Sequence, residues 1–381
     1  DKLATNPYTF LHVILPDFDD KMKTHAGTPE RLLKIKNKFL KFLKNGTFIT
    51  EKKSCFYIYR QSKAKDIFTA IIGCSSIDDY FNNVIKKHEQ TLTERENKLK
   101  DYLEVCNFNA EPVCLCYPDD DALNKHILKI TSQEPVYDFS TTDKTQHQLW
   151  VVDNEKDISA IEAGFENIPS IYIADGHHRS ASSALFGKSL KEKNKKHTGK
   201  ELYNFFLCAY FPESQLKIYD YNRVVTNLNG LSPKEFLRKI SEKFDVDDNW
   251  GNIHTPNKLH NFSLYFEGHW YSLTAKKGTF DDKHPVGMLD AAILSENILM
   301  PVFGIKDLKT DKRISFISGI RGLAELQELV DNGRFKAAFA LYPATMKQLK
   351  NIADTNNIMP PKSTWVEPKM RSGLTIYSLS E

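Results

Sequence analysis

One carboxylate, two imidazoles and a guanidinium crowd into the string Asp175-Gly176-His177-His178-Arg179. The residues before it, Ile171-Tyr172-Ile173-Ala174, favour a strand. Those after it, Ser180-Ala181-Ser182-Ser183-Ala184-Leu185, suit a helix. A helix N-terminus offers backbone N–H groups and a partial positive charge, so a strand, a tight turn and a helix start make an anion site. Placing His178 and Arg179 there costs little once something negative binds, and phosphate is the leading candidate. Asp175 could serve only as an N-cap and Gly176 only as a turn residue with positive φ. Neither role calls for three titratable or cationic residues in a row.

Two other clusters carry candidate chemistry. Lys87-His88-Glu89-Gln90-Thr91 sets an acid between an imidazole and amide or hydroxyl groups, ahead of a helix in which Thr91 or Thr93 is the expected cap. Position 92 is Leu, where a zinc-protease helix needs its second His, so that chemistry is excluded. Met359-Pro360-Pro361-Lys362-Ser363-Thr364-Trp365-Val366-Glu367-Pro368-Lys369 cannot be helical and reads as a stiff loop. Its Lys, Ser and Thr can hold donors in place for a phosphate or carboxylate. Neither Gly-x4-Gly-Lys-Ser/Thr nor Gly-x-Gly-x-x-Gly occurs, so the common nucleotide folds are not supported.

The elements that must position these residues alternate irregularly. Strands are expected at 10–15, 54–61, 67–77, 112–117, 136–139 and 147–153, and helices at 29–43, 93–105 and 156–165. The second half resumes with β-rich runs at 202–211 and 216–225 and a helix opening at Ser232-Pro233. A hairpin with Gly268-His269 as its two-residue loop follows. This mixed order predicts an α+β fold rather than a regular doubly wound sheet.

At 381 residues the chain is long enough for about two domains. A net charge of +3 creates no whole-protein field for nucleic acid, which makes nucleic acid an unlikely partner. No apolar run approaches membrane-spanning length, and no signal peptide is visible at the start. The 6 cysteines include no Cys-x-x-Cys pair; they read as small buried hydrophobes in a reducing compartment, the cytoplasm by default.

Several motifs together carry a family resemblance: Asn6-Pro7-Tyr8-Thr9-Phe10-Leu11-His12-Val13-Ile14, Tyr59-Arg60-Gln61, His88-Glu89-Gln90-Thr91, Tyr172 to Arg179, Gly319-Ile320-Arg321-Gly322 and Met359 to Thr364. On these the chain is identified as a member of the bacterial domain-of-unknown-function family 1015. More distantly it resembles SerK-like free-serine kinases of the ParB/sulfiredoxin superfamily. That resemblance implies a ParB/sulfiredoxin-like nucleotide-binding core over residues 1–200. An α+β C-terminal domain over 201–381 would then return its 359–369 loop to the site. It implies that Glu89 and Asp175 are catalytic, Glu89 as general base and Asp175 beside the metal. Gly176, His177, His178 and Arg179 would hold nucleotide phosphates, and His88, Lys362, Ser363 and Thr364 would contact substrate. The implied cofactors are ADP or ATP with Mg2+, and the implied partners are a nucleotide and a small hydroxylated molecule such as L-serine. The alternative is a non-catalytic nucleotide-binding switch or partner-binding module of the ParB type.

Overall fold

A computed structural model describes residues 5–18, 23–250 and 253–380. The chain divides into two compact units, Asp1–Lys87 with Thr91–Leu216 and Pro368–Glu381, and His88–Gln90 with Lys217–Glu367.

In the first unit the strands are β1 (Phe56–Lys63), β2 (Asp66–Ser76), β3 (Ile85–Lys86), β4 (Phe108–Asn109), β5 (Val113–Tyr117), β6 (Tyr137–Ser140), β7 (Gln146–Val152), β8 (Ile171–Asp175) and β9 (Phe205–Pro212). All but β4 form one mixed sheet in the order β3-β8-β5-β9-β2-β1-β7-β6. The helices are α1 (Leu11–Ile14), α2 (Pro29–Lys44), α3 (Ile77–Phe81), α4 (Thr93–Cys106), α5 (Asp121–Ile130), α6 (Glu155–Glu166) and α7 (His177–Lys193). The helix α2 begins as its sequence demands, with Thr28 Oγ1 accepting from Arg31 N–H and Pro29 in the first turn. In the centre of the sheet β5 lies between β8 and β9, and all five of its residues are buried. Cys114 and Cys116 fill that interior, and all 6 cysteines are free.

The second unit holds a six-stranded antiparallel sheet. Its strands are β11 (Tyr221–Val225), β12 (Phe244–Trp250), β13 (Asn261–Phe266), β14 (His269–Ala275), β15 (Ile314–Ser318) and β16 (Ala337–Leu341), in the order β12-β14-β13-β16-β11-β15. The short β10 (Lys217–Tyr219) pairs with β17 (Trp365–Glu367). Alternation along the strands sends Phe262, Leu264 and Phe339 into one core with Phe236 and Phe303, while Val224, Tyr265 and Ala338 pack with Trp270 and Leu326 in another. The helix Pro233–Ser241 opens on a capping box between Ser232 and Glu235. The architecture is α+β.

Four expectations are corrected. Residues 10–15 do not form a strand: Leu11–Ile14 is a helical turn, and Val13 packs with Leu32, Phe39 and Phe108. A six-residue apolar run fits either element, and packing decides. The hairpin loop is Glu267-Gly268, one residue earlier than expected, with φ of 47° and 82°. Two left-handed residues match the twist of the flanking strands. No side chain caps α4; Leu92 is its N-cap residue, and Thr91 Oγ1 instead bonds to Glu96. Lastly, the units do not divide at residue 200, because β9 pairs with both β2 and β5 and so belongs to the first sheet.

Two predictions follow from packing. A Cβ on Gly187, inside α7, would stand 2.2 Å from the Tyr203 carbonyl oxygen and 2.9 Å from Ile77 Cδ1. Alanine gains up to ~1 kcal/mol in helix propensity, but displacing a backbone carbonyl costs more. Gly187→Ala should therefore lower unfolding free energy by ~2 kcal/mol in a denaturant titration. His147 is 1 % exposed, with Tyr59 Oη 2.7 Å from Nδ1 and Thr141 Oγ1 3.2 Å from Nε2. Burial, followed by the Arg371 charge, draws the imidazole down to about 4. Its stabilising contribution is complete above the unfolded value of ~6.5 and disappears as pH falls through about 4. The loss of stability between these pH values should be smaller in His147→Gln, as read from urea midpoints.

Candidate functional site

The strand β8 ends at Asp175, and α7 begins two residues later, so a single residue must turn the chain. Gly176 does so with a φ of 102°. A Cβ there would lie 3.0 Å from Arg179 Nη2 and 3.1 Å from its Cζ. Glycine is thus required for the left-handed backbone, and it also lets the guanidinium lie against the turn without being pushed aside. No side chain caps α7, and its first turn contains no acid.

The cations are arranged differently from an open cradle. Arg179 Nη2 pairs with Asp175 Oδ2 at 2.9 Å, and its Nη1 reaches Glu111 Oε1 at 2.5 Å and donates to the Pro112 carbonyl at 2.6 Å. Asp175 Oδ1 accepts from Lys369 Nζ at 2.9 Å. Arg179 therefore acts as a bracket between two carboxylates rather than as a side chain extended into solvent. His177 is buried. His178 Nε2 accepts the Leu92 N–H at 3.1 Å, so the ring bonds in its neutral form with Nε2 unprotonated. Leu92 is the N-cap residue of α4. The bond consequently sets two helix starts side by side, neither capped by a side chain, and their dipoles add.

Beside the site, β5 pairs with β8 through a bulge, opposing Cys114 to Asp175. Burial, then the Asp175 charge, raises the Cys114 thiol well above the usual thiol range, so it is inert as a nucleophile.

The remaining candidates lie in the second unit. His88 is buried, and its carbonyl accepts from Met359 N–H at 2.8 Å, while Glu89 is exposed. Segments from distant parts of the chain, 88–90 and 359–364, are thus joined there. Lys362 holds a left-handed φ of 58°, and its Nζ lies 5.3 Å from the Tyr221 ring centre. Ser363 Oγ donates to the Pro360 carbonyl at 2.7 Å, and Thr364 is half-buried. The fully buried Arg223 donates to the Lys362 carbonyl at 3.2 Å. Burial brings that guanidinium down to about 10, with Asp220 opposing.

Lys369 and Gln61 stand within the sequence motifs without a role of their own, and Glu111 and Arg223 lie outside them. Gln61 Nε2 donates to the Lys369 carbonyl at 3.1 Å and so fixes the lysine's backbone. Arg223 left a signal, a cation within the β-rich run 216–225. Glu111, before a proline at a strand entrance, left none.

The family described as Protein of unknown function (DUF1015) matches residues 1–292. The chain belongs to it. No curated protein matches the chain significantly. Among solved structures, a free serine kinase in complex with AMP aligns at 12% identity and a TM-score of 0.37, covering 81% of this chain and 92% of that one. SbnI with a C-terminal truncation, from Staphylococcus aureus, aligns at 11% and 0.41, covering 78% and 82%. A conserved hypothetical protein from Pyrococcus furiosus aligns at 11% and 0.38, covering 82% and 97%.

No helix among the described residues is long and apolar enough to cross a membrane. Among them, too, no group of three or more His, Cys, Asp or Glu side chains is placed to hold a metal. Asp175 accepts one bond on each oxygen, and a carboxylate has about four acceptor sites, so it can still join a Mg2+ that brings phosphate ligands of its own.

Gly176→Ala should lower stability by ~1–2 kcal/mol, since only glycine takes this φ without strain. Thermal melts of the two proteins at equal concentration will show it.

Proposed function

We propose that this protein is a nucleotide-dependent kinase of small hydroxylated molecules, with free L-serine the first acceptor to test. The observation that carries this reading is the pair of uncapped helix starts joined by Leu92 and His178, with Asp175, Arg179 and Lys369 at their edge. Phosphoryl transfer asks a protein mainly for positioning and charge neutralisation, and this arrangement supplies both. The motif resemblance adds the remaining roles.

In this reading the backbone from Gly176 to Arg179 holds the phosphates of ADP or ATP, and Asp175 holds Mg2+, which neutralises charge on the transferring group. The acceptor hydroxyl oxygen bonds to the terminal phosphorus, and the bond from that phosphorus to the departing nucleotide breaks. Glu89 takes the hydroxyl proton. His88, Lys362, Ser363 and Thr364 orient the acceptor. Glu89 is exposed, as a base that meets an incoming substrate must be.

The pairing of Arg179 with two carboxylates favours a second reading, a nucleotide-binding switch or partner-binding module of the ParB type. A phosphate that draws Arg179 away releases Glu111, and a partner can read that change.

Incubation with ADP or ATP, Mg2+ and L-serine should yield O-phosphoserine by mass spectrometry. Glu89→Gln should cut turnover by ~100-fold or more while nucleotide affinity by calorimetry stays unchanged. Tight nucleotide binding with no phosphorylated product from any hydroxy amino acid would select the switch.

A further inference from the structure

Beside the turn, the first unit contains a cavity of about 230 Å3 among α1, α4, α7 and the approach to β5. Its wall is largely apolar, with Ile14, Leu99, Leu103, Val113 and Leu207 contributing. The recess is partly open to solvent, and apolar hollows of ~150 Å3 are already large enough to take up an aromatic ring.

Three features narrow the occupant. The volume falls below the ~300–1,000 Å3 of a site for drug-sized ligands, so it suits a single fused ring system and not a whole nucleotide. The wall also carries polar groups: Asn109 accepts the Leu207 N–H on Oδ1 at 3.1 Å, which keeps its Nδ2 hydrogens available as donors, and Ser183 adds a hydroxyl. Finally, Arg179 belongs both to this wall and to the turn after β8, where it is fixed by Glu111, whose other oxygen accepts from Ser372 Oγ at 2.7 Å. A ligand with a flat, weakly polar ring at one end and an anion at the other would use both places.

We propose that the cavity receives the purine base of the nucleotide whose phosphates rest at the start of α7. Arg179 then marks the junction between the two halves of the ligand. The assignment rests on the nucleotide binding proposed above and adds where the base is held and how it is selected: by ring burial, with one amide donor toward a ring nitrogen.

Calorimetry with ADP, adenosine and pyrophosphate tests it on the whole chain. Ala110→Phe and Leu99→Phe fill the cavity from two walls, and unchanged circular dichroism and melting confirm that each folds. Both variants should lose at least tenfold in affinity for ADP and adenosine while pyrophosphate binding changes by less than twofold. ADP affinity unchanged in folded variants, or adenosine failing to bind where pyrophosphate binds, overturns the base site. Adenosine binding that the fillers abolish, with no pyrophosphate binding, sustains the cavity assignment and removes the phosphate role of α7. If none of the three binds the unaltered protein, both fall.

Discussion

The charged chain Lys369–Asp175–Arg179–Glu111 is the constraint on which the first unit's site depends. Two carboxylates and two cations share one small region, each half-exposed, so none bears the full cost of desolvation. The pairs do little for global stability at such exposure; their effect is to fix geometry. The Arg179 guanidinium lies against the turn at position 176, where a Cβ would press on it, and Asp175 meets both cations where β8 ends beside its bulge with β5. The glycine, the bulge and the ion pairs thus meet within a few residues of one another.

The second unit treats its own candidate loop in a related way. A buried arginine, Arg223, holds the carbonyl of Lys362, whose backbone is left-handed without the help of glycine. Such conformations persist where the surroundings over-determine them, and they collect at functional positions. Ser363 closes the same loop on Pro360, so the prolines and two hydrogen bonds together set its shape.

Much of this was legible in the chain. The segment 171–185 announced a strand, a turn and a helix because each local preference agreed with the next, and the structure follows it residue by residue. The turn of Gly176 was readable from residue types alone. What Arg179 and His178 do was not, since a cation's partner depends on which distant chain passes by: Glu111 and Lys369 are remote in sequence. The short run 10–15 was misread for a different reason, having too few residues to display a period. The caps expected at Thr91 or Thr93 do not form: Leu92 takes the N-cap position and Thr91 Oγ1 bonds to Glu96, while His178 accepts the Leu92 N–H, a contact no local pattern encodes.

The position of Lys369 also bears on how the protein comes into being. The first unit is interrupted in sequence by the second, and its last portion, 368–380, is laid down along the earlier part: Gly373 N–H bonds the Ala110 carbonyl, Leu379 N–H bonds Asn107, and Tyr377 Oη reaches Leu202. A ribosome that has just released β9 has made the whole eight-stranded sheet, yet Asp175 still lacks its lysine and Gln61 the carbonyl it will hold. Domains tend to fold as they emerge, so this one waits through the synthesis of an entire second unit before its charged centre is complete. Synthesis that stops short of the tail would leave a folded sheet with an unfinished site.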